Sequence, residues 1–190
     1  MNKILTWFMM AILLASVTPL TAQERTTAKE KRKMTREERK LARQKEDEKL
    51  FQTAIDALKK QDFVLEAQTL TFKKGRTISV TPSTNFISMS GDRATVQVSF
   101  VTGRPLQNGL GGVTVEGKVS DIKMSTDKKG RVSYSFYVQG LGISAYVNIS
   151  LVGNNKASAT ILPSFHSNTL ILNGNLVPSE KSNTFEGRKL

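Results

Sequence analysis

From Asp62 onward, apolar and polar residues alternate with a period of two. Ala94, Val96, Val98 and Phe100 alternate with Thr95, Gln97 and Ser99. Val132, Tyr134, Phe136 and Val138 alternate with Ser133, Ser135 and Tyr137. Ile143, Ala145, Val147, Ile149 and Leu151 do so with Ser144, Tyr146, Asn148 and Ser150. Such alternation marks strands with one face on a core and the other in water, the habit of antiparallel sheets. The pattern predicts strands over residues 63–72, 77–81, 86–90, 94–102, 113–124, 131–139, 143–152, 157–162 and 169–177, some of which can merge. Turn chemistry punctuates them at Ser90-Gly91-Asp92, Thr126-Asp127-Lys128-Lys129-Gly130, Gly153-Asn154-Asn155-Lys156 and Asn173-Gly174. Between Val113 and Val119 the odd positions are apolar, whereas Ile122 and Met124 are even, so a bulge or bend is expected near Asp121. No helical segment separates the strands, which leaves no room for parallel crossovers. The expectation is an all-β domain, either a single antiparallel β-barrel or a two-sheet sandwich of about eight strands.

Upstream the period is 3.6. Phe51, Ala54, Ile55 and Leu58 fall at i, i+3, i+4 and i+7, which makes one apolar face able to dock on the β-domain. Thr35-Arg36-Glu37-Glu38 fits a capping box, with Thr35 capping a backbone amide and Glu38 reaching back. One long N-terminal α-helix over residues 36–60 follows from this. Its first half is nearly all charged, with Leu41 its only large apolar residue, so it should be solvated. Residues 23–34 are charged and lack aromatics, which reads as a disordered lead-in. The domain plan is therefore a charged lead-in and solvated helix over 23–49 and a β-domain with a docked helix end over 50–190.

Residues 1–22 change the setting. A positive start at Met1-Asn2-Lys3, an apolar run from Ile4 to Leu14, and Pro19-Leu20-Thr21-Ala22 before Gln23 have the anatomy of a secretory signal peptide. The apolar run is short for a membrane span of about 20 residues, so no stable span is expected after cleavage. The protein is expected in the periplasm or outside the cell. The chain has no cysteine. This excludes disulfides, thiol catalysis, cysteine-held metal and a lipidated cysteine anchor. The formal charge is +12. Export argues against nucleic acid as partner, and the charges are mixed instead of forming a stripe, which reads as a solvated surface. An envelope protein, lipid or glycan is the reachable class of partner. The oligomeric state is open.

Several stretches are familiar as a set. They are Asp62-Phe63-Val64-Leu65-Glu66-Ala67, Asn85 to Phe100 through Gly91-Asp92-Arg93-Ala94, and Asn108 to Met124 through Gly111-Gly112-Val113-Thr114-Val115-Glu116-Gly117. Asp127 to Leu151, Gly153-Asn154-Asn155-Lys156-Ala157 and Asn175-Leu176-Val177-Pro178 complete the set. Together they resemble the exported bacterial proteins grouped as domain of unknown function 4251, over about residues 35–190. The resemblance implies an envelope setting and an all-β domain, and it carries no catalytic residues.

Candidate chemistry is sparse. His166 is the only histidine. A serine-hydrolase arrangement would need it beside Ser164 or Ser167 with an acid such as Asp121, but no nucleophile-elbow pattern surrounds those serines. One histidine and no cysteine argue against zinc. Gly109-Leu110-Gly111-Gly112 lacks the Gly-Lys-Ser/Thr and the following helix of a phosphate loop, so a tight turn or a close backbone approach is expected there. Paired carboxylates would have to come from Glu66, Asp92, Glu116, Asp121 and Asp127, most of which strand or turn positions explain. No catalytic, cofactor-binding or metal residues are therefore expected, and no enzyme. Tyr137 and Tyr146 lie on the polar phase of successive strands, where they can stack on a sugar or a peptide. With Arg36, Arg39, Lys40 and Arg43 of the charged helix they form the candidate contact residues. The expected function is a non-catalytic binding or scaffolding β-domain. The alternative is a lipocalin-like carrier of a small apolar ligand, which requires interior room beyond what side chains fill.

Overall fold

The computed structural model describes residues 20–99, 112–140, 144–164 and 169–184, with side chains from residue 31 and, in the strand that opens at Gly112, from Thr114. Among these residues the chain forms one α-helix, α1 (Leu20–Lys60), two short 3₁₀ turns and nine strands. The strands are β1 (Asp62–Phe72), β2 (Thr77–Ser79), β3 (Phe86–Ser90), β4 (Arg93–Ser99), β5 (Gly112–Thr126), β6 (Val132–Gln139), β7 (Ser144–Leu151), β8 (Lys156–Pro163) and β9 (Leu170–Pro178). All pairings are antiparallel, in the order β2-β1-β3-β4-β5-β6-β7-β8-β9, and β1 also pairs with β9. That last pairing, with Leu65 opposite Leu176 and Leu70 opposite Leu172, closes eight strands into a barrel. The barrel, not the sandwich, is therefore the fold. Closure leaves the eight barrel strands without an open edge.

β2 is the extra strand. It lies on the same edge of β1 as β3, pairing Thr69–Thr71 while β3 pairs Asp62–Glu66. The segment between them leaves the sheet at Val80 and turns through a short 3₁₀ helix at Pro82–Thr84. Proline has no N–H to offer a ladder and favours that first helical position.

The predicted phases place the core. Ala94, Val96 and Val98, Val132, Tyr134, Phe136 and Val138, and Ala145, Val147, Ile149 and Leu151 are all buried. Phe100 and Ile143 lie outside the described residues. The slip expected near Asp121 is present as a register shift between Ser120 and Lys123, where Asp121 takes φ 51°. A second shift lies between Ala67 and Thr69 in β1. Opposite it, Gly174 sits so close to β1 that a Cβ there would come 1.9 Å from the Glu66 carbonyl oxygen. Asn173-Gly174 is thus not a turn, as its composition suggests, but the middle of β9. The glycine serves the close backbone approach that a bulged barrel corner demands.

The described residues fall into two compact units that divide between Gln44 and Lys45. In the second unit, Ala54, Ala57 and Leu58 of α1 join the barrel core, with Phe51 and Ile55 packed against it. Gln61, at φ 55°, reverses the chain into β1, and its carbonyl accepts a bond from the Gly91 amide in the β3–β4 turn. Asp47 accepts a bond from the Asn154 side chain in the β7–β8 turn. The helix end therefore covers the barrel end that carries these turns.

The start of α1 corrects the expectation. It begins at Leu20 and includes residues 23–34, where composition predicts a disordered lead-in. These residues are rich in Lys, Arg and Glu and hold neither Gly nor Pro, so helix propensity favours continuation. Thr35 is not a cap. Its hydroxyl donates to the Lys31 carbonyl one turn back, a bond made inside a running helix.

Candidate functional site

The outer wall of β6, β7 and β8 carries the candidate site. β6 buries Tyr134, Phe136 and Val138, so Tyr137 must point outward; β7 buries Ala145 and Val147, which turns Tyr146 out as well. The register sets Tyr137 directly opposite Tyr146, and Tyr146 opposite Leu162 of β8. The two rings lie 4.9 Å apart between centroids, tilted by 50°. Tyr137 and Leu162 are each 44% exposed. An aromatic–aromatic–aliphatic row thus crosses three strands on a face whose alternation is otherwise polar.

Polar groups border the row. Ser135 opposes Asn148, and Asn148 opposes Thr160. Hydrogen bonds from Ser135 and then Asn148 hold the Tyr146 hydroxyl below the ordinary tyrosine range, with the Lys123 charge adding in the same direction. Hydrogen bonds to the charged form lower a pKa in this way. The arrangement offers two ring faces for stacking and, one row away, hydroxyl and amide groups for hydrogen bonds.

The helical candidates lie in the other unit. Arg36, Arg39, Lys40 and Arg43 are exposed on α1, as is every side chain from Lys31 to Leu50. Each set is therefore a site by itself.

The remaining candidates find local partners. Glu116 pairs with Arg93 at 2.9 Å across β4 and β5. Glu66 accepts a bond from Ser182 at 2.6 Å. Asp127 accepts from the Arg131 amide, the Lys129 amide and the Arg131 side chain, which together hold it below the usual carboxylate range and tie the β5–β6 turn. Asp92 stands in the β3–β4 turn and Asp121 at the bulge. Ser164 bonds the Ser144 carbonyl and hydroxyl. His166, Ser167 and the glycines 109–111 lie outside the described residues, as does most of the expected signal segment. Among the described residues no three His, Cys, Asp or Glu side chains gather as for a metal. Nor is any helix among them long and apolar enough to cross a membrane.

One cluster escaped the sequence reading. Gln97 and Thr114 occupy outward phases yet are fully buried. The Thr114 hydroxyl donates to the Gln97 side-chain oxygen Oε1 at 3.1 Å, and the Gln97 side-chain Nε2 donates to the Thr84 carbonyl at 3.1 Å. Asn85, also buried, receives the Ser99 amide at 2.7 Å and donates to the Thr81 carbonyl at 3.1 Å. These bonds fasten the 81–85 turn over β4. Alternation assigns such residues to water, and nothing in their spacing signals that a turn will cover them.

Fold and surface together define a closed antiparallel barrel with the candidate tyrosine row on its outer wall. Residues 45–176 match the family model described as Domain of unknown function (DUF4251), and the chain belongs to that family. The match is narrower than the expected 35–190 and starts at the boundary between the two units. The chain is similar to a DUF4251 family protein from Bacteroides eggerthii of known crystal structure. The two share 50% identity at a TM-score of 0.65, over 74% of this chain and 95% of that one. A search of curated proteins gave no match.

Proposed function

We propose that this protein is a non-catalytic binding module exported to the bacterial envelope, with the outer row Tyr137–Tyr146–Leu162 as its contact face. The observation that carries the reading is the cross-strand tyrosine pair itself, 4.9 Å between rings with Tyr137 44% exposed. Aromatic residues supply contact area at low conformational cost, and buried or half-buried tyrosines dominate many binding surfaces. The rings beside Asn148 and Thr160 suit a ligand with flat apolar faces and hydroxyl edges, such as a sugar ring. Residues 1–22 support the exported setting.

The packed interior favours this surface reading over an internal carrier. Phe63 meets Tyr134 edge-on at 5.7 Å, and Tyr134 meets Phe136 at 6.0 Å. Leu65, Ile87, Met89 and Ile149 are buried in the same core. Side chains of this size fill an eight-stranded barrel.

The test is a panel of neutral and acidic oligosaccharides titrated against the protein and the Tyr137→Ala/Tyr146→Ala variant. Removal of both rings is expected to weaken the best binder by about fivefold or more, the size of a contact worth over 1 kcal/mol. Binding that survives in the variant moves the contact face elsewhere. Fractionation of cells of the source organism tests export, and recovery of unprocessed protein from the cytoplasm would overturn it.

A further inference from the structure

The helical geometry of α1 sorts charges that look mixed along the chain. Arg32, Arg36, Arg39 and Arg43 recur at steps of four, three and four residues, and Lys33 and Lys40 flank them. At about 100° per residue these six fall within an arc of roughly 120°. The two carboxylates of residues 31–44, Glu37 and Glu38, lie outside that arc. All six basic side chains are exposed. The ion pairs among the described residues, Arg93–Glu116 and Arg131–Asp127, are on the barrel, and none of the six has a carboxylate partner among those residues. A merely solvated helix interleaves its charges in i, i+4 pairs. Over residues 32–43 this one presents a single-signed row, with Lys33–Glu37 its one i, i+4 pair of opposite charge.

The geometry points to a membrane-surface contact: residues 32–43 of α1 lie along phosphate-bearing lipid headgroups, with the four arginines as the binding row. The row runs for roughly 17 Å along a straight helix, so a plane of phosphates can engage all of it at once. Arginine favours phosphate because its planar fork donates two parallel hydrogen bonds. The opposite side carries Met34 and Leu41, 61% and 56% exposed, with charged residues between them. Two isolated apolar residues do not make the continuous face of an inserting amphipathic helix. The contact is therefore electrostatic and peripheral. It lies outside residues 45–176, so it is an addition to the family domain. The choice of lipid over nucleic acid rests on the exported setting.

The experiment is co-sedimentation of the purified mature protein with phosphatidylglycerol-containing vesicles, against vesicles of phosphatidylcholine alone. Each basic residue near an anionic surface contributes about fivefold to binding. Arg32→Gln/Arg36→Gln/Arg39→Gln should weaken binding by roughly a hundredfold. Lys31→Gln/Lys45→Gln/Lys49→Gln removes the same charge off the row and should lose much less. Circular dichroism verifies that the helix persists, since glutamine is a good helix former. High salt should release the wild-type protein whatever the variants do. Equal loss in both variants, salt-insensitive binding, no preference for the anionic vesicles, or tighter binding to duplex DNA than to vesicles would each overturn the proposal. The oligosaccharide assay reads Tyr137 and Tyr146 alone, so failure here leaves that contact face standing, and the reverse also holds.

Discussion

Tyr134 and Tyr146 sit on adjacent strands of one barrel wall and have opposite fates. Tyr134 faces inward, 2% exposed, between Phe63 and Phe136, with its hydroxyl against the Met89 sulfur at 3.3 Å. Burial pushes its phenol up to about 12. Tyr146 faces outward beside Tyr137, and hydrogen bonds from Ser135 and Asn148 move its phenol down. Residue type is the same; strand phase decides the role. On the inner face an aromatic ring is core, where its surroundings are dry and its polar atom finds only a thioether. On the outer face the same ring meets water and polar neighbours, and becomes available to a ligand.

The comparison breaks hardest on the inner face. Phe136→Ala should destabilise the fold by about 3–5 kcal/mol, since it removes a fully buried ring and leaves a cavity in a closed barrel. Chemical denaturation with an unchanged slope and a lower midpoint would show it; a loss under about 1 kcal/mol would mean that the interior collapses to refill the space. Gly174→Ala also tests the inner face, for β9 bears there on the bulged backbone of β1. The added methyl should cost about 1–3 kcal/mol through backbone displacement. A neutral result would imply that the corner relaxes without strain.

Strand phase is also what could be read in the sequence. Each expected strand is present, and the slip at Asp121 was visible because Ile122 and Met124 change parity. Closure was not visible. It depends on β1 meeting β9, a pairing between distant parts of the chain that local alternation does not encode. The helix start was misplaced because Thr35 and Glu38 mimic a capping box, which acts as one only if the preceding chain leaves the helix. The tyrosine row was half legible: the phases of Tyr137 and Tyr146 were plain, but their register was not, and Leu162 joins them only through the β7–β8 pairing. Gln97 and Thr114 illustrate the converse, polar-phase residues that a turn buries.

Alkaline pH sharpens the contrast between the two tyrosines. The folded pKa of Tyr134 is raised from 10.0 to about 12, so the fold favours the neutral phenol. Its contribution is complete below pH 10 and is lost as pH rises through 12, a change on the order of 3 kcal/mol. Tyr134→Phe should remove that component and flatten the stability profile between pH 10 and 12. A profile unchanged by the substitution would assign alkaline loss to other groups.

The smallest effect on stability falls on the outer face. Tyr137→Ala removes a cross-strand partner of Tyr146 but no core contact, and should cost only about 0.2–1 kcal/mol. Phe136 is its immediate neighbour in the chain, so the two alanine variants differ by one position and by the face they strip. If strand phase governs, the Phe136 variant loses most of its stability while the Tyr137 variant shifts its midpoint only slightly and loses affinity for the oligosaccharide. A Tyr137 variant as unstable as the Phe136 one would make the exposed ring part of the packing. The tyrosine pair would then be a brace for β6 and β7, and the contact face would have to be sought elsewhere on the barrel.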